Sequence, residues 1–179
     1  MPGIGIEYGY EWVMLEPRRL LVENCARQAA RFFGQQPGPS SVIGLAHGFD
    51  AEHMGAANSA RYFTYGYYLR RLLGWLASCR QAEIVSPISG NTVVCFDEWH
   101  ERSKEQTLVF NELRNLQGRM TRAGLRPFRI ILCSATLPSD DVANIDAPLI
   151  EVRGRPQGRP PVLISTAQRR ELCLKVREV

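Results

Sequence analysis

Residues 92–103 read TVVCFDEWHERS, an apolar run that ends abruptly in two acids, a histidine and a charged cluster. The run predicts a buried strand, because a short, uninterrupted apolar segment suits the interior of a parallel sheet. In open α/β sheets, ligands bind outside the carboxyl ends of the strands. Adjacent carboxylates at that position can hold Mg²⁺ and orient a water molecule, which points to nucleotide-driven chemistry.

Strand-like and helix-like patterns alternate on both sides of this run. The further segments with a strand pattern are 12–15, 42–46, 60–63, 128–133 and 149–152, and those with helical spacing are 18–33, 67–76 and 109–120. Largely apolar strands separated by helices favour a three-layer α/β/α sandwich around a mostly parallel sheet. The residues expected to face the core are Leu21, Cys25, Ala29 and Phe33 in the first helix, Tyr68, Leu69, Leu72, Leu73 and Leu76 in the second, and Val109, Leu113, Leu116 and Met120 in the third.

Composition limits the class of protein. A chain of 179 residues with 45% apolar content suits one well-cored domain. No apolar stretch reaches the roughly 18 residues of a membrane span and the start lacks the pattern of a signal peptide, so we expect an intracellular, most simply cytoplasmic, protein with no membrane partner. The five cysteines are scattered, with no C-x-x-C pair. A net charge of +4, nearly all of it from arginine, suits phosphate but equally describes a solvated basic surface.

A phosphate-binding Walker A loop is missing from these residues. Such a loop needs G-x-x-x-x-G-K-[ST]. The lysines of the chain are Lys104 and Lys175, and neither follows a glycine. Taken without any family, the two acids after residue 96 remain either a metal and water site or solvated acids that close a strand.

The arrangement Asp-Glu-x-His-Glu-Arg-Ser after an apolar strand resembles motif II of the DEAH-box RNA helicases in helicase superfamily two. Three further segments fall in the order of that family. LEPRRL at 15–20 resembles motif Ia, YFTYGYYLRR at 62–71 resembles the Thr-Asp-Gly segment with Tyr65 in place of the acid, and CSATL at 133–137 resembles motif III. Alone, these segments also fit an ordinary helix start, a Thr64 helix cap and a strand-to-helix turn.

The resemblance implies a RecA-like fold of the P-loop NTPase type, with Mg²⁺, ATP and single-stranded RNA as the cofactors and partner of the intact parent. It implies that Asp97 serves Mg²⁺ through water and that Glu98 orients the attacking water. Coupling between the nucleotide and RNA sites would fall to His100, Ser134 and Thr136. The residues implied to contact the RNA backbone are Arg18, Arg19, Thr64 and Gly66.

The family opens with a strand, a phosphate loop and a helix, which need roughly 30 residues, and Trp12 comes too early for them. The second motor domain with its arginine fingers is missing as well. We therefore expect an N-terminally incomplete fragment of a larger helicase or viral polyprotein, with apolar sheet edges left open and no ATPase activity alone. It would pair with the missing helicase portions or a protein partner. The expected organisation is a partial helicase domain at 1–153, a linker at 154–161 and a tail at 162–179.

Two other functions stay open. A degenerate, non-catalytic module could keep the RNA-facing surface or dock on a protein. An unrelated phosphohydrolase would need more acids at the same sheet edge, and Asp140 with Asp141 is the candidate pair. His47 and His53 flank a polar loop and could be interpreted as metal ligands, although an ordinary pair of surface histidines is the simpler interpretation.

Overall fold

The computed structural model describes residues 6–48, 53–81 and 85–134, and the backbone of residues 150–152 and 163–165. Contacts divide the chain into two compact units, and Pro2–Ala135 form the larger one. The elements of that unit are β1 (Glu11–Glu16), α1 (Arg19–Phe32), β2 (Ile43–Ala46), β3 (Ala60–Thr64), α2 (Tyr65–Gln81), β4 (Thr92–Phe96), a 3₁₀ turn (Trp99–Glu101), α3 (Lys104–Arg122) and β5 (Arg129–Leu132).

The five strands form one sheet in the order β2-β3-β1-β4-β5, and every pairing is parallel. β1 is the centre of the sheet, and β4 is an inner strand whose five residues are all buried, as the apolar run predicts. β5 lies at an edge, and its four residues are only half-buried. The register keeps the carboxyl ends level, because Glu16 pairs with Thr64 and Phe96 pairs with Leu132.

The helices cover both faces of this sheet, which confirms the predicted layers. Successive strand residues point to opposite faces. On one face, α1 packs over a cluster that includes Trp12 and Tyr62. On the other face, Phe63 contacts Tyr68 of α2 at a ring distance of 5.6 Å, and Phe96 contacts Phe110 of α3 at 5.8 Å.

The buried stripe of α1 differs from the predicted one by a single position. The helix buries the small residues Val22, Ala26 and Ala30, which let it approach the sheet closely. The predicted stripe lies beside them and is half-buried. In α2, Leu73 belongs to the helix face predicted to point to the core, but its side chain is 50% exposed. In α3, all four residues predicted to face the core are buried.

The smaller unit holds a two-stranded antiparallel sheet of β6 (Ile150–Val152) and β7 (Leu163–Ser165). The predicted strand at 149–152 therefore exists. Its partner is β7, in the segment predicted as a tail, and it is not part of the parallel sheet. The predicted linker at 154–161 lies outside the described residues, so the domain boundaries stay predictions. Within the described residues, no helix has the length and apolarity needed to cross a membrane.

Candidate functional site

The candidate site lies at the carboxyl edge of the sheet, where polar residues follow adjacent strands. Asp97 N–H donates to the carbonyl oxygen of Leu15 at 3.0 Å, which continues the β1–β4 ladder by one residue. Cys133 N–H donates to the carbonyl oxygen of Phe96 at 2.8 Å, which continues the β4–β5 ladder in the same way. The chain that carries the two acids therefore leaves the sheet between Glu16 and the end of β5.

The acid turn, which we define as residues 97–102, has an unusual backbone. Glu98 (φ 49°) and Arg102 (φ 51°) both adopt the left-handed conformation and flank the 3₁₀ turn. This conformation costs non-glycine residues roughly 1–2 kcal/mol each and persists where the surroundings over-determine it. Glu98 N–H donates to Asp97 Oδ1 at 3.0 Å, so one carboxylate oxygen of Asp97 is partly satisfied by its own turn.

His100 connects the acid turn to the chain that follows β5. Its Nδ1 lies 3.2 Å from Ser134 Oγ and 3.2 Å from Glu98 Oε2. A second link comes from the backbone, because Trp99 N–H donates to the carbonyl oxygen of Cys133 at 2.9 Å. The sequence predicts that the acid pair and the Ser134 turn lie close in space, and these contacts confirm that proximity. Thr136, predicted to act with them, lies outside the described residues.

Trp99 fills a pocket that sequence reasoning does not locate. The side chain is only 5% exposed. It meets Phe96 edge-on at a ring distance of 5.7 Å and Phe110 of α3 at 4.9 Å, while the Arg102 guanidinium lies 5.6 Å from its ring. Its Nε1 is buried without a hydrogen-bond partner. The indole therefore anchors the acid turn on α3 by packing alone.

Tyr65 takes the position that the resemblance assigns to an acid, and it reaches the acid turn directly. The residue is 3% exposed, and its hydroxyl donates to the carbonyl oxygen of Asp97 at 2.7 Å. Gln106 Nε2 donates to the same hydroxyl at 3.1 Å and lies 3.3 Å from the carbonyl oxygen of Glu98. The start of α2, the acid turn and α3 thus share one buried polar network, which the sequence did not reveal.

Glu16 is a buried acid next to the partly exposed Asp97. It is 1% exposed, and its Oε2 has no hydrogen-bond partner. Burial, followed by the charge of Asp97 and a hydrogen bond shared with it, raises the pKa of Glu16 from 4.5 to about 8. Glu16 therefore keeps its proton near neutral pH. The signal for it in the sequence is an acid that directly follows the apolar run at 12–15.

Two cysteine thiols lie on the same face of the sheet as Glu16. Cys95 Sγ and Cys133 Sγ are 3.4 Å apart, across the β4–β5 pair. Their mutual hydrogen bond lowers the pKa of Cys133, while that bond and burial raise the pKa of Cys95. Burial also raises the pKa of the half-buried Cys25, near Glu16, to about 11.

The residues predicted to contact RNA lie at this same edge. Arg18 is 73% exposed, and its Nη2 forms an ion pair with Glu101 Oε1 at 3.2 Å. The Arg19 guanidinium lies against Gly48, since a Cβ added there would be 2.8 Å from its Nη2. Thr64 is half-buried at the end of β3. Gly66 is the second residue of α2, and a Cβ added there would meet only the Glu105 side chain, at 4.0 Å.

The structure gives less support to the alternative metal and phosphohydrolase sites. His47 Nε2 lies 3.1 Å from Glu23 Oε1, so this histidine has a carboxylate partner. Within the described residues, no group of three or more histidine, cysteine or acidic side chains could hold a metal ion. The pair Asp140 and Asp141, needed for an unrelated phosphohydrolase, lies outside those residues.

Comparison with known proteins shows what this chain is similar to. The chain is 28% identical over 146 residues to the ATP-dependent RNA helicase HrpB of Escherichia coli, an alignment that covers 80% of this chain and 16% of that protein. The crystal structure of the E. coli DExH-box NTPase HrpB matches with a TM-score of 0.57 and 27% identity, over 75% of this chain and 15% of that one. No family model matches the chain.

The chain thus spans about one sixth of the length of the relative it matches. Together with the five-stranded parallel sheet, the structural match shows an α/β RecA-like fold. At 28% and 27% identity, the two matches show a likeness to a DExH-box helicase over part of that protein's length.

Proposed function

We propose that this chain carries part of the first motor domain of a DEAH-type RNA helicase, whose intact parent couples ATP hydrolysis to translocation on RNA or unwinding of it. The observation that carries the proposal is the position of His100 Nδ1, 3.2 Å from both Glu98 Oε2 and Ser134 Oγ. This contact joins the residues that resemble motifs II and III. A movement of the acid turn would therefore displace Ser134, and the reverse, as coupling between two sites requires.

The acid turn fits a magnesium–nucleotide complex better than a bare metal ion. Mg²⁺ keeps several waters and takes one or two carboxylates together with substrate phosphates. The half-exposed Asp97 offers one such ligand, through water, and no larger cluster of metal ligands occurs among the described residues. Bound Mg²⁺ would neutralise charge on the phosphates of ATP. Glu98 would accept a hydrogen bond from the attacking water and His100 would hold its carboxylate in position.

Arg18, Arg19, Thr64 and Gly66 form the proposed RNA-facing surface. Arg18 is held only by an exposed ion pair with Glu101, and such pairs contribute about 0–1 kcal/mol. A phosphate can therefore replace the carboxylate at little cost. Gly66 lies in the first turn of α2 and leaves room for a nucleic-acid backbone to approach the first N–H groups of this helix. Contacts of this kind predict binding that is independent of sequence and sensitive to salt.

Filter binding of labelled single-stranded RNA across a salt series tests this surface. Arg18→Ala and Arg19→Ala should each weaken binding and lower the slope of log K against log salt by about 0.7, the value for one phosphate contact to a single strand. Arg122→Ala is the matched control, because this exposed arginine ends α3, at the opposite edge of the sheet. Absence of binding at every salt concentration would remove the RNA role from this chain.

A non-catalytic RNA- or protein-binding module is the second candidate, and the missing Walker A lysine favours it. The two functions separate when the same binding series is repeated with Mg²⁺ and ATP. A motor-domain role predicts that the nucleotide changes RNA affinity and that Asp97→Asn abolishes the change. If the chain is only a binding module, neither the nucleotide nor Asp97→Asn should change its affinity for RNA.

A further inference from the structure

The thiol pair, Cys95 and Cys133, has a geometry that the proposed helicase function does not use. Their sulfur atoms are 3.4 Å apart, in contact but not bonded. A disulfide bond is about 2.05 Å long, so the two sulfurs need a modest approach to become linked. Cys95 belongs to β4, and Cys133 directly follows β5. Their side chains point to the same face of the sheet, because Cys95 pairs with Ile131 and Cys133 follows two residues later.

The two thiols differ in access. Cys95 is 4% exposed, whereas Cys133 is half-buried at the open end of edge strand β5. A small oxidant can therefore reach Cys133 first, with Cys95 held as the second thiol behind it. Cys79 is less well placed, because it is buried on α2, which covers the opposite face of the sheet.

We propose that Cys95 and Cys133 form a peroxide-sensitive thiol pair whose oxidation to a disulfide joins the two turns of the candidate site. In the first step, the Cys133 sulfur attacks one oxygen of hydrogen peroxide and the O–O bond breaks. This yields Cys133 sulfenic acid and one water, which carries the thiol proton. In the second step, the Cys95 sulfur attacks Cys133 Sγ, the S–O bond breaks, and the hydroxyl leaves with the Cys95 proton as a second water. Two thiols are oxidised and one peroxide is reduced.

The proposed crosslink lies next to the candidate site. Cys95 lies two residues before Asp97, and Cys133 lies one residue before Ser134. The carbonyl oxygen of Cys133 also receives the Trp99 N–H at 2.9 Å. Drawing the sulfurs together moves the end of β5 against β4, where the acid turn and Ser134 meet. The crosslink itself forms whether or not the proposed helicase function is correct.

The test treats the folded chain with hydrogen peroxide, blocks free thiols, digests with trypsin and identifies linked peptides by mass spectrometry. The expected product joins peptide 81–102 to peptide 130–153, has lost two hydrogens, and separates again on treatment with a thiol reductant. Cys25→Ser is the matched control and should form the same crosslink. Retention of both free thiols, links through other cysteines, or links between two molecules would overturn the proposal.

A second variant tests whether Cys95 is the thiol that completes the disulfide. In Cys95→Ala the second thiol is missing, so oxidation should stop at the sulfenic acid of Cys133. Dimedone, which labels sulfenic acids, should then modify Cys133 in Cys95→Ala and should label it far less in the unchanged chain. Equal labelling of Cys133 in both proteins would show that Cys95 does not resolve the intermediate, and the pairing would be rejected.

Discussion

The hydroxyl of Tyr65 donates a hydrogen bond of 2.7 Å to the backbone carbonyl oxygen of Asp97. This single contact ties the first residue of α2 to the first residue of the acid turn, and Gln106 braces it from α3. Where the helicase pattern has an acid, this chain has a phenol that remains neutral, because burial raises its pKa. The link between the start of α2 and the acid turn therefore depends on packing and hydrogen bonding, not on charge.

Tyr65→Phe should lower the free energy of unfolding by about 1–2 kcal/mol, since it removes the short hydrogen bond to a buried carbonyl group. The remaining neighbour of that carbonyl, Gln106 Nε2, lies 3.5 Å away. Urea unfolding monitored by circular dichroism measures the change. Tyr67→Phe is the control, because the Tyr67 hydroxyl only accepts from Arg71 on a half-buried surface, and it should change stability by less than about 0.5 kcal/mol. Equal effects of both substitutions would contradict the assigned role of Tyr65.

Glu16 should make the folded chain less stable as the pH rises. Its folded-state pKa of about 8 exceeds its ordinary value of 4.5, so the folded state binds more protons than the unfolded state between these values. Its contribution is fully present below pH 4.5 and is lost progressively up to about pH 8. The loss is a few kcal/mol at most, at roughly 1.4 kcal/mol per pKa unit.

Glu16→Gln should remove that dependence and make the variant more stable than the unchanged chain at pH 8. Unfolding free energies measured across the pH range in magnesium-free buffer test this expectation. Asp97→Asn should flatten the same profile in part, because the charge and hydrogen bond of Asp97 contribute to the raised pKa. A profile of Glu16→Gln that runs parallel to that of the unchanged chain would show that Glu16 titrates normally.

Trp99→Ala should cost about 3–5 kcal/mol of unfolding free energy, as expected for an aromatic side chain removed from a packed interior. Trp99→Phe should stay within about 1 kcal/mol of the unchanged chain, because the loss of ring contact is offset by removal of a buried N–H without a partner. Chemical unfolding of both variants tests the pair of expectations. A Trp99→Phe cost as large as that of Trp99→Ala would mean that the indole nitrogen has a partner.

Glu98→Gln should leave ATP turnover unchanged, because the 179 residues contain no Walker A lysine and the unchanged chain should already show only background hydrolysis. Phosphate release in the presence of Mg²⁺, with and without single-stranded RNA, measures this. Turnover above background that disappears in Glu98→Gln would refute the expectation and show that the acid pair is catalytic in this chain.

Local patterns predicted the layers, because strands and helices depend on apolar spacing that can be read directly along the chain. The face of α1 was misjudged by one residue, since the sheet selects the small Val22, Ala26 and Ala30 over the larger apolar neighbours. The resemblance to motifs II and III identifies His100 and Ser134 as candidate site residues, and the structure shows that they are in contact.

The buried contacts of the site could not be predicted in this way. Tyr65 and Gln106 are 41 residues apart, and no pattern in the sequence marks their hydrogen bond. Glu16 looks like an exposed motif residue until the central position of β1 and the neighbouring Asp97 are known. The pocket of Trp99 likewise depends on the helical phase of α3, which decides where Phe110 points.

The position of β5 has a practical consequence. In the part of the chain that the structure describes, nothing pairs with the outer side of this strand. Its one charged residue, Arg129, is turned onto the ring of Tyr10 at 4.9 Å, so it does little to repel an incoming strand. An open rim of unpaired amides and carbonyls is a template for aggregation. Aggregation of this chain should therefore increase with protein concentration, and a polypeptide that pairs with the outer side of β5 should suppress it.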